Sequence, residues 1–189
     1  GEYKFQSYIR GEYTGRVDHS SAGGIILEHI GNRVYEDYNI SNFLESKGFK
    51  NDTWNLYSEI LKYPILAHHG LYDIIDNNFE YRTGVRLNPN KKIRENFINR
   101  NSGFLNLLNK EYINLNNKSI YDLYYEGFKE FIETYKTIRF IAPRTSSTSN
   151  RDEKIRRMKS LDFYYGALVR LLLSILKDAD IYDSSNYYM

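Results

Sequence analysis

Apolar residues recur every three or four positions along most of the chain, and the strict alternation of a half-buried strand is almost absent. Such a sequence can bury its apolar surface only by packing helix on helix, so the expected fold is all-α. The strongest pattern runs from about residue 151 to 178. There Ile155, Met158, Leu161, Tyr165, Leu168, Leu172 and Ile175 form one stripe of a long helix. A second long pattern passes through Ile120, Leu123, Tyr124, Phe128, Phe131, Ile132 and Tyr135. A third holds Ile93, Phe97, Phe104, Leu107 and Leu108, with a break expected near Ser102-Gly103.

Upstream, Phe5, Tyr8 and Ile9 predict a short helix closed by Gly11, and Ser20 or Ser21 is a candidate cap for a helix carrying Ile25, Ile26, His29 and Ile30. Asp52 is the expected N-cap of a segment with Trp54, Tyr57, Ile60 and Leu61 at helical spacing. Pro64 is expected to kink or restart that helix just before Ile65-Leu66-Ala67-His68-His69. Residues 77–90 are polar and turn-rich and predict an excursion over the surface, and 143–150 reads as the clearest loop. No internal repeat or long linker divides the 189 residues, so one domain over 1–189 is expected.

Composition narrows the chemistry. The absence of cysteine excludes disulfides, thiolate metal sites and a cysteine nucleophile. A net charge of +2 does not by itself announce nucleic-acid binding, which must rest on local patches. No apolar run reaches the ~18 residues of a membrane span, and the first residues do not read as a signal peptide. The expectation is a soluble, cytoplasmic domain without a membrane partner.

The four histidines are His19, His29, His68 and His69. Imidazole binds first-row divalent metals, and carboxylates complete such sites while balancing charge. Neighbouring helical positions diverge by about 100°, so His68 and His69 do not chelate one ion as an i, i+4 pair does. They can present two nitrogens to a site spanning adjacent helices; taken alone, they are equally compatible with partly exposed surface histidines. Near the end of the long helix, Lys177 and Asp178 interrupt the apolar run, which makes Asp178 a solvated acid. Asp180 follows the small Ala179, which permits close helix packing. Its carboxylate can cap, pair with a cation or bind a metal.

Three segments in order, His19-Ser20-Ser21-Ala22-Gly23-Gly24, Leu66-Ala67-His68-His69-Gly70-Leu71-Tyr72-Asp73 and Asp178-Ala179-Asp180-Ile181-Tyr182-Asp183, resemble the HD-type nuclease domain of type I CRISPR-associated helicase-nucleases. The opening Phe5-Gln6-Ser7-Tyr8-Ile9-Arg10-Gly11, followed by Val17-Asp18-His19-Ser20, is also similar to that family. The resemblance implies an HD-like helical bundle with a metal site between helices. It implies metal-dependent cleavage of single-stranded DNA in antiviral defence, with a CRISPR surveillance complex and a helicase, in cis or in trans, as partners. By the same resemblance His19, His68 and His69 hold one divalent ion of a two-metal site (Mn, Ni, Co, Fe or Mg), and Asp180 completes the shell of the other. Asp18 and Asp73 are candidates to orient an imidazole through its second nitrogen, or else act as caps or surface ion-pair partners. His29 matches nothing in the family, and its apolar helical face predicts a packing role.

The family's upstream His and paired His-Asp have no counterpart between Gly1 and Lys4, and are expected to precede Gly1 in the native protein. Gly70-Leu71-Tyr72-Asp73 is one residue shorter than the family's corresponding turn. For the DNA, Arg144, Arg151, Arg156 and Arg157, with Lys154 and Lys159, form one basic group around the start of the long helix. Lys91, Lys92, Arg94 and Arg100 form another. Each group reads either as a phosphate contact or as a solvated helix face. Two other functions fit the sequence: an HD-like module that binds DNA or the surveillance complex without cutting, and an HD-superfamily phosphohydrolase acting on a nucleotide.

Overall fold

The computed structural model describes residues 19–68, 87, 91–141 and 150–186, some of them by backbone alone. Among these residues every element is an α-helix and no strand occurs. In chain order they are α1 (His19–Asp37), α2 (Ile40–Ser46), α3 (Asp52–Ala67), α4 (Lys91–Arg100), α5 (Ser102–Asn116), α6 (Ile120–Ile141) and α7 (Asn150–Asn186). No helix among the described residues is long and apolar enough to cross a membrane. The expected helix at Phe5, Tyr8 and Ile9, the 77–90 excursion save for Leu87, and nearly all of the 143–150 loop lie outside the described residues.

α3 is the central element, packed against α1 on one side and α7 on another, while α6 packs across α1 and α7. The core between them is aromatic. Phe128 of α6 is fully buried, with its ring 4.7 Å from that of Trp54 and 5.3 Å from that of Tyr57. Ile30 and Val34 of α1 and Ile40 and Leu44 of α2 close the cluster on one side, and Tyr165, Val169 and Leu172 of α7 cover it on the other. A smaller cluster sits where α1 begins and α3 ends. Ile25, Leu66, Ala67 and Leu87 form its centre, with Tyr63, Phe97, Ile98 and Leu173 around it.

Local chemistry explains several boundaries. α6 opens on a reciprocal capping box. Ser119 Oγ accepts the backbone N–H of Asp122 at 3.0 Å, and the Asp122 carboxylate accepts the backbone N–H of Ser119 at 3.0 Å. Tyr38 of α1's trailing turn donates its hydroxyl to the same carboxylate. The break between α4 and α5 falls at Asn101, whose amide donates to the Phe97 carbonyl at 2.8 Å. Asn117, in the left-handed conformation at φ 55°, closes α5.

Four sequence expectations are corrected. α1 already includes Ser20 and Ser21, so neither is its N-cap. Asn51, not Asp52, is the N-cap of α3; Asp52 sits in the first turn, where a carboxylate suits the positive end of the helix dipole. Pro64 does not restart the helix: α3 runs through it without a break to Ala67. A proline so near the end removes only the bond its own N–H would have made to residue 60, and its buried ring gains packing. Finally, the stripe expected on α7 holds at Tyr165 and Leu172 but shifts between them: Leu168 and Ile175 are exposed, and Val169 and Leu173 pack inward in their place. Three consecutive leucines, Leu171 to Leu173, let the spacing select more than one face, and only the position of α3 chooses between them. On α5 the same ambiguity exposes Phe104 and Leu107 and buries Leu105.

Candidate functional site

The smaller core cluster brings two of the three motif segments together. A Cβ built on Gly23 would stand 2.9 Å from Ile65 Cγ2, and one on Gly24 would stand 2.9 Å from Leu66 Cδ2 and from Leu87 Cδ2. The paired glycines let α1 approach α3 closely, and the two helices run antiparallel, since Gly31 farther along α1 lies with Trp54 and Ser58 nearer the start of α3. The first residue of α1 is His19, one turn before Gly23, and the residue that caps α3 is His68. The start of α1 and the end of α3 therefore lie at the same end of the bundle.

α7 reaches that end too. It runs parallel to α3: Tyr165 packs among the core side chains around Tyr57 and Phe131, and Leu173 packs with Leu66 and Ala67. Asp180 follows Leu173 by seven residues, two helical turns or about 10.5 Å, and returns to the same face to within about 20°. Asp180 is exposed, as a residue is when its helix continues past the end of its neighbour. Asp178 has a different register: it follows the exposed Leu171 by seven residues and shares its outward face.

His68 is buried, 9% exposed, with Nδ1 2.6 Å from the Ile65 carbonyl oxygen. A carbonyl can only accept, so Nδ1 carries a proton and donates it to Ile65. That is the arrangement by which a metal-binding imidazole is oriented, its second nitrogen tied to a carbonyl. The carboxyl end of α3 adds the negative pole of the helix dipole, which favours a cation. Among the described residues no three His, Asp or Glu side chains gather as a metal-binding group. His69, Asp18, Asp73 and Arg144 lie outside the described residues, as do the side chains of His19, Arg151, Arg156 and Arg157.

Two grooves flank this end of the bundle. One, of 640 Å³, lies between α1 and α4, with Glu28, His29, Asn32, Arg94, Glu95 and Asn99 on its walls. His29 thus stands half-buried on a groove wall rather than packed in the core. Burial, with the Arg33 guanidinium adding to it, holds its pKa below 6.5. Arg94, expected as part of a basic group that contacts phosphate or forms a solvated helix face, is paired with Glu28 at 2.8 Å. The other groove, of 710 Å³, runs between α3 and α7, and Tyr63, Gly166, Arg170 and Lys177 line it.

Sequence reasoning missed Tyr63, Gly166 and Arg170 of the second groove, and the Tyr38–Asp122 bond. For the cations the available signal was the seven-residue interval from Arg170 to Lys177, one helical face apart from the apolar stripe. Comparison with known proteins returned nothing: no family model, no curated protein and no solved structure matches this chain.

Proposed function

We propose that the chain is a metal-dependent nuclease domain of the HD type that cleaves single-stranded DNA in type I CRISPR defence. What supports this reading is that the helix start bearing His19 and the helix end bearing His68 lie at one end of the bundle, toward which the α7 face bearing Asp180 continues. These segments are distant in sequence and are the ones the resemblance singles out.

The donors that the structure describes suit such a metal. His68 would present its Nε2 as a ligand with Nδ1 held by the Ile65 carbonyl, and Asp180 would offer a carboxylate to balance the cation's charge. His19 and His69 would add two further imidazoles. Divalent ions held there would supply Lewis-acid stabilisation of a phosphodiester and a water of lowered pKa. The protein's own contribution would be to fix the ligand directions at the end of the bundle where α1 begins and α3 ends. A CRISPR surveillance complex and a helicase, in cis or in trans, are the partners this reading calls for.

The test begins with chelator-stripped protein titrated with Mn²⁺ by calorimetry, followed by incubation with a labelled single-stranded oligonucleotide. Saturable Mn²⁺ uptake is expected of these residues, and metal-dependent shortening of the strand is expected of protein in which the family's upstream His and His-Asp segment is joined ahead of Gly1. His68→Ala and Asp180→Asn should each weaken uptake by about tenfold or more, as loss of a metal-site group does. Protein that takes up no Mn²⁺, or a His68→Ala variant that binds and cuts as the parent does, would overturn the reading.

A further inference from the structure

The groove between α3 and α7 combines an apolar floor with cations on a single rim. Ile60, Val169 and Leu173 lie along it. Arg170 and Lys177 stand on the α7 side, both exposed, and no ion pair among the described residues engages either. The acid on the opposite wall, Glu59, is already matched by Lys62 at 2.6 Å, so the charge the groove presents is positive. Arg170 and Lys177 are seven residues apart and share a face. Their separation along the helix is about 10.5 Å, the axial length of roughly three stacked nucleotides at about 3.4 Å each.

Two further features shape the floor. Gly166 lies in it, and a Cβ there would meet nothing within 4 Å, so the absent side chain leaves room rather than relieving a clash. Tyr63 lines the α3 wall, half-buried, and its ring takes part in no ring–ring contact among the described residues. An apolar trough with one aromatic wall and cations at phosphate-like intervals matches an extended strand that offers flat bases on one side and phosphates on the other. The groove also points toward the candidate metal end, since Asp180 is one turn beyond Lys177 on α7.

We infer that the α3–α7 groove is the track of the single-stranded DNA, with Arg170 and Lys177 on its phosphates and Tyr63 against a base. The identity of the strand rests on the nuclease reading; the groove and its residues do not. The test is binding of a fluorescein-labelled oligothymidylate by fluorescence anisotropy in EDTA, over a series of salt concentrations, so that no cleavage intervenes. Replacing both cations (Arg170→Gln with Lys177→Gln) should lower affinity by about tenfold or more and reduce the slope of log affinity against log salt by about 1.4, at about 0.7 per lost phosphate contact. Gly166→Leu should weaken binding by a similar factor while melting no lower than the parent, because it adds bulk to the groove at a position where a Cβ meets nothing within 4 Å. Tyr63→Leu should weaken binding by about fivefold or more without altering the slope. A parent that does not bind the strand, a double variant with unchanged slope, or a Gly166→Leu variant that binds as tightly as the parent overturns the inference. The two readings fail separately. Mn²⁺-dependent cutting with intact binding by the groove variants removes the track alone, whereas groove-dependent binding without Mn²⁺ uptake removes the nuclease alone.

Discussion

Replacing Gly24 by alanine and Gly166 by alanine is chemically one change in the interior of a helix, and the structure assigns the two opposite signs. In a helix alanine is favoured over glycine by about 0.8–1.0 kcal/mol. At Gly166 a Cβ meets nothing within 4 Å, so that gain is kept and the variant is stabilised by about 0.5–1 kcal/mol. At Gly24 the new Cβ stands 2.9 Å from two leucine methyl carbons, Leu66 Cδ2 and Leu87 Cδ2. Comfortable carbon contacts lie at about 3.5–4.0 Å, so both neighbours must retreat by more than half an ångström. Leu66 is 1% exposed and Leu87 5%, which leaves them little space to enter. Overpacking of this kind costs about 1–3 kcal/mol, which exceeds the helical gain over most of that range. The expected balance at Gly24 is a loss of about 1 kcal/mol, and the two variants should differ by about 2 kcal/mol. For a chain of this length that corresponds to melting points separated by about 4–8 °C. Urea unfolding followed by circular dichroism reads the same difference as midpoints moving in opposite directions at unchanged slope. If Gly24→Ala stabilises as much as Gly166→Ala, α1 and α3 do not approach as described, and the convergence of His19 with His68 loses its foundation.

Removing the hub of the aromatic core, Phe128→Ala, should cost about 3–5 kcal/mol by chemical denaturation, with Phe128→Leu costing distinctly less. Asp122 should mark an acid limb of stability. The Ser119 hydroxyl, and after it Tyr38, hold its pKa below 3.8, so its contribution is complete above that value and disappears as the pH falls through the lower folded value. Asp122→Ala should therefore destabilise at pH 7 by about 0.5–2 kcal/mol, the cost of a lost cap, and converge with the parent in acid; a constant gap down to pH 2 would contradict this. Mn²⁺ at about a hundred times its dissociation constant should stabilise the fold by about 2.7 kcal/mol, with reversal by EDTA and a smaller effect in His68→Ala. On α7, Ile175→Glu should change stability by less than about 0.5 kcal/mol, because that side chain is 57% exposed. Leu172→Glu, directed into the core, should lose several times as much.

The residues themselves determine that this chain is helical. The spacing of Trp54, Tyr57 and Ile60, or of Tyr124, Phe128, Phe131 and Ile132, leaves no other way to bury those side chains, and the longer elements were legible, whereas the short α2 was not and α7 runs on to Asn186, past the expected end near 178. The break at Asn101 was legible as well, because turn residues interrupt the pattern there. The candidate chemistry was legible only as an ordered set of short segments around His19, His68-His69 and Asp180. Their order carries no distance. Tertiary structure decided that α1 and α3 meet with the glycines against Ile65 and Leu66, and that Leu173, hence Asp180 two turns later, belongs to the same end. It also decided which face of α7 turns inward, a choice the run Leu171-Leu172-Leu173 leaves open, and with it the placing of Arg170, Lys177 and Gly166 along a groove. The physical reason is the same in each case. Helical periodicity is a property of neighbours in the chain, whereas the facing of a helix and the depth of a groove depend on which distant side chains it must fit.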